Sequence, residues 1–321
     1  MSKAFYILIL SISIYLPMLG QKSETRISTT DIENFWIAYD SIRSTSESAK
    51  QLKFIQELYL DKATDGLKEF IVLRELTTKR HLENIIKYPR FWNSVRIYTL
   101  QIQTYKKEIK KIMLRFKKLY PPFREPEVYF TIGCLNSGGT TTKTKILIGS
   151  EIAASNNKVD STELDKWLVD VFKMQSNIVS MVAHEVGHTQ QINGDSENDG
   201  QSNLLGYCIA EGSCDFISEL LLEKPVASPY MQYGKANEKE LWKLFKVEML
   251  GQETKNWLYN GNEAPNGNAD LGYFIGYKIC KSYYENSKDK KTALKEIIEL
   301  NYTKENVVEF LNKSEYNEKW N

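Results

Sequence analysis

The run His184-Glu185-Val186-Gly187-His188 carries residue types and a spacing suited to hydrolytic chemistry at a metal ion. Residues four apart on a helix lie on one face, one turn from each other. Two neutral imidazoles so placed can take two corners of a zinc tetrahedron. Glu185 sits beside the first ligand on the flank of the same turn, where a carboxylate can take a proton from a water held by the metal. Gly187 leaves the surface between the two histidines uncrowded. The competing reading is a pair of surface or capping histidines that bind nothing.

A hydrolytic zinc site needs a third protein ligand. The chain has only three histidines, and His81 lies more than a hundred residues upstream, where it reads as a packing residue. No downstream histidine completes the set, so the third ligand is expected to be a carboxylate. The next helix offers Glu211, 23 residues after His188, with Asp215 one turn further on. Asp215 is suited to accept a hydrogen bond from a ligand imidazole and so fix its tautomer. Glu219 continues the same face and is the rival ligand. Leu205, Ile209, Phe216 and Ile217 mark this helix as packed, an unfavourable place for a free carboxylate.

With His184, Glu185, His188 and the Glu211-x-x-x-Asp215 pair in view, the pattern resembles that of the gluzincins, the thermolysin-like zinc peptidases. The resemblance implies His184, His188 and Glu211 as zinc ligands, Glu185 as general base and Asp215 as support for a ligand histidine. It also implies a donor for the oxyanion. Thermolysin-like enzymes use a histidine there, and none is left in the C-terminal half. Tyr273 and Tyr277, one turn apart on a late helix, are the candidates, against a plain role in aromatic packing. The wider layout is similar to a bacterial group of predicted zinc-dependent proteases related to gliding-motility lipoproteins. The similar features are Phe35-Trp36-x-Ala38-Tyr39-Asp40, the Gly138-Gly139 hairpin ending in Ile148-Gly149-Ser150-Glu151, the Glu211-Gly212 helix and Gly272-Tyr273-Phe274-Ile275-Gly276-Tyr277. Two departures stand out: no cysteine lies near the expected cleavage site, and Cys214 stands where a small or apolar residue is expected.

These residues need elements to hold them. Thr30 and Glu33 form a capping-box pattern ahead of Phe35, Trp36 and Tyr39, and helical periodicity then runs to about Tyr120. Pro121-Pro122 and Pro126 end that region. Val128–Ile132 reads as a strand, Asn136–Gly139 as turn material and Thr140–Ile148 as the returning strand of an antiparallel hairpin. That hairpin is a candidate edge for aligning an extended peptide. Helical patterns resume near Ser161 and lead into the histidine pair. A polar loop spans about 193–203. Helices follow at about 204–222, 237–258, 269–287 and 303–312. Asp195, Glu197 and Asp199 in the polar loop lack the full ligand set of a calcium loop.

The whole is a mostly helical α+β chain: a zincin-like core with a small antiparallel sheet and an active-site helix, joined to an N-terminal helical lobe. The boundaries are a signal peptide at 1–20, a helical lobe at 24–120 and a metallopeptidase region at 121–321. Lys3, the apolar stretch from Ala4 to about Leu19, and Gly20 form the signal pattern. That stretch is short for a membrane span, which needs about 20 residues, so export without stable membrane insertion is expected. Net charge is +1, from 42 basic and 41 acidic side chains, which argues against a nucleic-acid partner. The basic run Lys106–Lys118 reads as a solvated helix face. Cys134, Cys208, Cys214 and Cys280 are expected as small buried residues, and a Cys208–Cys214 bridge within one helix is disfavoured by distance. The expectation is therefore an exported peptidase acting on a peptide or protein substrate with a zinc cofactor. The alternative is a non-catalytic envelope binding or assembly module whose metal is structural or vestigial.

Overall fold

The structure is a computed structural model that describes residues 26–173, 178–192 and 201–320. The expected signal peptide and the Asp195, Glu197 and Asp199 positions lie outside the described residues.

A short strand β1 (Ile27–Ser28) precedes α1 (Thr30–Arg43), α2 (Ser48–Leu58), α3 (Asp65–Leu73), α4 (Thr78–Lys87), α5 (Pro89–Leu100) and α6 (Lys106–Leu119). The Thr30 capping box does not form: Thr30 is already helical and Thr29, the cap position, makes no side-chain bond. Thr64 and Thr77 do cap α3 and α4, and Pro89 opens α5, where its missing N–H costs no intrahelical bond. The α1 aromatics face inward. The Phe35 ring lies 5.4 Å from Tyr59 and 5.0 Å from Trp92.

The sheet is mixed, not an antiparallel hairpin. Its strands are β1, β2 (Glu127–Thr131), β3 (Gly139–Thr141) and β4 (Lys145–Gly149), in the order β1-β2-β4-β3. β2 runs parallel to both β1 and β4, with Phe130 opposite Ile148. Only β3 and β4 are antiparallel. The reason lies in the 132–138 connection, which is long enough to carry the chain past the place of β4 to the far edge. Reversal then occurs at 142–145, where Thr142 N–H donates to the Lys145 carbonyl at 2.9 Å. After their first residue, β2 and β4 are buried throughout, as parallel strands covered on both faces are.

Beyond the sheet come α7 (Ser150–Ala153), α8 (Lys166–Lys173), α9 (Ile178–His188), α10 (Leu204–Leu222), α11 (Pro229–Glu248), α12 (Leu271–Asn286), α13 (Lys290–Ile298) and α14 (Lys304–Ser314). The helix expected at 237–258 is α11, which starts at Pro229, kinks at Asn237 and ends at Glu248. Hydrophobic periodicity did not reveal α13. One hydrophobic core joins α1–α6, β2, β4, α7–α9 and the end of α10, so the N-terminal helices share a core with the helix bearing the histidines. A second core joins α10, α11, α12 and α14. α10 and α12 cross in backbone contact at Gly212 and Gly276. A Cβ on Gly276 would stand 1.7 Å from the Cys208 carbonyl oxygen, so only glycine allows this crossing. The four cysteines are buried and free. No helix among the described residues is long and apolar enough to cross a membrane.

Glu151 is fully buried at the start of α7. Its Oε1 accepts from the N–H groups of Gly133 (2.9 Å) and Leu135 (2.8 Å), fixing a turn in which Cys134 and Leu135 have φ of 60° and 58°. Its Oε2 has no partner. Burial without a cation pushes its pKa up to about 7, against the pull of those N–H groups. The native state therefore holds a proton that the unfolded chain releases above its ordinary carboxylate range, and stability falls as pH rises from there through about 7. We predict that Glu151→Gln removes this component, worth on the order of 3 kcal/mol. Thermal melts from pH 5 to 8 should fall more steeply for the wild type than for Glu151→Gln; parallel curves would contradict the assignment.

Candidate metal centre

α9 places His184 and His188 on one face, with ring centroids 5.0 Å apart. α10 crosses α9 closely because Gly187 faces Cys214: a Cβ on Gly187 would lie 2.8 Å from the Cys214 sulfur. Cys214 is thus a small buried residue at the helix crossing. This crossing brings Glu211 to the histidines. Glu211 Oε2 lies 3.3 Å from His184 Nε2 and 3.2 Å from His188 Nε2, and the two Nε2 atoms are 3.2 Å apart.

The protons at this cluster can be assigned from its surroundings. His184 Nδ1 lies 2.9 Å from Asp215 Oδ1, an acceptor, so Nδ1 is the donor. His188 Nδ1 lies 3.0 Å from Gln191 Oε1. Gln191 cannot be turned around, because its Nε2 is committed to the Ala210 carbonyl, Ser213 Oγ and Tyr302 hydroxyl at 2.8–3.0 Å. His188 Nδ1 is therefore also a donor. In the neutral imidazoles both Nε2 atoms then present lone pairs to one another and to a carboxylate oxygen. A tetrahedral ion about 2.0 Å from each ligand would separate them by about 3.3 Å, which is the spacing observed. The donor set fits zinc.

The electrostatics agree in direction. Burial opposes charge on both imidazoles. It is outweighed by Asp215 and Glu211 around His184, and by Cys214 and Glu211 around His188, so both are driven well above the usual histidine range. Burial likewise opposes ionisation of Glu211, and the imidazoles outweigh it and hold its carboxyl well below the usual range. The cluster is a buried place that favours positive charge.

Glu185 lies beneath the edge strand and lines the same cleft as His184. A Cβ on Gly139 would stand 2.4 Å from Glu185 Oε1, so the glycine at the start of β3 lets the strand pass directly over the carboxylate. Burial raises the Glu185 pKa, with the two imidazoles working against it. A cleft of about 670 Å³ opens here, lined among others by Gly139, Met181, His184, Glu185, Tyr230 and Tyr273.

The two candidate tyrosines separate. The Tyr273 ring lies 6.0 Å from that of His184 and lines the cleft. Tyr277 points away from the cluster. Its hydroxyl donates to Glu219 Oε2 at 2.6 Å, Lys281 binds the same carboxylate at 2.7 Å, and its pKa is pushed up to about 12 by burial and by Glu219. The rival ligand Glu219 is thus engaged with Tyr277, outside the cluster. His81 is a buried packing residue between the Thr77 and Ile132 carbonyls. Three groups at the centre escaped the sequence reading. Gln191 follows His188 by three residues, a spacing that offered a weak signal. Tyr230 donates to Asp215 Oδ2 at 3.0 Å, and Tyr259 to Glu211 Oε1 at 2.6 Å. Both come from distant segments that no local pattern links to α9.

A family model described as "Gliding motility protein GldB" matches residues 20–318. No curated protein and no solved structure matches the chain. The match spans nearly all of the 321 residues, including every element that builds the candidate site. The chain belongs to the gliding motility protein GldB family.

Proposed function

We propose that this chain is an exported zinc-dependent peptidase on a zincin-like core, with His184, His188 and Glu211 holding the ion. The observation that carries the reading is the mutual 3.2–3.3 Å spacing of three lone-pair atoms in a buried site. Zinc bound there supplies Lewis acidity and lowers the pKa of a water to about 7. Asp215 and Gln191 hold the imidazoles in the tautomer that turns Nε2 to the site. Glu185, raised by burial but not metal-directed, is suited to take a proton at its carboxylate and pass it to the departing amine nitrogen. Tyr273, beside His184 in the cleft, is the candidate donor to a developing oxyanion. β3 is the last strand of the sheet, so an extended peptide would pair along its outer edge, where the Gly139 carbonyl already accepts from Ser137 Oγ at 2.6 Å.

The family description, a gliding motility protein, favours a second reading: a non-catalytic envelope binding or assembly module on this fold, its metal structural or vestigial. Glu185 separates the two, since a structural site has no use for a buried base on the open side.

His184→Ala and Glu211→Ala should each purify without stoichiometric zinc. Glu185→Gln should keep its zinc and lose about 10²–10⁴-fold in cleavage of a mixed peptide library followed by mass spectrometry. Undiminished cleavage by Glu185→Gln contradicts the peptidase reading. Gln191→Ala should weaken zinc affinity by about 10–100-fold in a chelator competition; unchanged affinity would show that His188 is oriented by other means.

A further inference from the structure

The two oxygens of Glu211 are treated differently. Oε2 faces both imidazoles, whereas Oε1 accepts the Tyr259 hydroxyl at 2.6 Å. Tyr259 is an unusual residue to find in this role. It is half-exposed, at 51%, and its backbone lies in the left-handed region, at φ 55°, which is disfavoured for any residue with a Cβ.

The surrounding chain fixes it there. Trp257 and Leu258 are buried just before it, and the Trp257 carbonyl accepts Gly272 N–H at 2.8 Å. Just after it, Asn260 and Asp270 clasp the loop. Asn260 N–H donates to Asp270 Oδ1 at 3.3 Å, and Asp270 N–H to Asn260 Oδ1 at 2.9 Å. The Tyr259 N–H also donates to the Asp270 carboxylate. Strained backbone that persists only because its surroundings over-determine it is a mark of functional placement.

We propose that Tyr259 is a positioning residue that restricts Glu211 to a single metal-binding oxygen. By occupying Oε1, its hydroxyl stops the carboxylate from closing on the ion with both oxygens. With a metal bound, this would leave a coordination position for a water, as a hydrolytic centre requires and a closed structural site does not. This inference rests on the zinc reading above and assigns to the distant 254–270 segment control over the coordination number of the site.

The test needs no substrate. The wild-type chain, Tyr259→Phe and Tyr283→Phe are compared by chelator competition for zinc and by the visible absorption of their cobalt(II) forms, which is stronger for four-coordinate than for five-coordinate cobalt. Tyr283 donates to Glu296 at the surface and serves as the control for loss of one phenol. A half-exposed phenylalanine leaves packing unchanged, so circular dichroism should match the wild type. Tyr259→Phe should change zinc affinity by about 10-fold or more and weaken the cobalt absorption, with Tyr283→Phe unchanged in both. If wild type binds zinc and Tyr259→Phe shows the same affinity and spectrum, the inference is overturned while the zinc reading stands. If the wild type takes up no zinc or cobalt, the zinc reading falls and this inference with it.

Discussion

Two imidazole nitrogens and a carboxylate oxygen held within 3.3 Å in a buried site would repel one another unless protons or a cation stood between them. Removing the carboxylate from water adds a penalty of several kcal/mol. The arrangement is stable only if positive charge stands between them, and the packing around it is arranged to keep it. Asp215 and Gln191 hold the Nδ1 protons outward, Tyr259 holds the far oxygen of Glu211, and Tyr302 holds Gln191. Each support comes from a different part of the chain, so the cluster depends on the tertiary fold as a whole.

The fold meets this demand by bringing helix backbones into contact. α9 and α10 approach through Gly187 against Cys214, and α10 and α12 through Gly212 against Gly276. Overpacking such a crossing costs about 1–3 kcal/mol or more, and here it would also move Glu211 relative to the histidines. On the other flank, Gly139 lets β3 lie over Glu185. Glu151 fixes the turn that carries the chain from β2 towards that edge.

The motif helix and the Glu211/Asp215 pair were legible in the sequence because helical spacing is local: residues three or four apart meet on one face whatever the fold. The same logic singled out Tyr273 and Tyr277, but one turn of α12 is enough to send them to different neighbours, His184 and Glu219. The direction of strand pairing was not legible. Val128–Ile132 and Ile146–Ile148 are buried on both faces and carry no alternation to set it, and the long 132–138 connection allowed a parallel return. Tyr230 and Tyr259 were invisible because their contacts span 15 and 48 residues through irregular chain.

The chain belongs to the gliding motility protein GldB family, and the candidate centre gives that membership a chemistry to test. X-ray absorption at the zinc edge of the purified wild-type chain measures the central claim directly. The account predicts one zinc per chain with two imidazole nitrogens, one carboxylate oxygen and one non-protein oxygen at about 2.0–2.2 Å. No stoichiometric zinc, or a fourth ligand supplied by the protein, would contradict it.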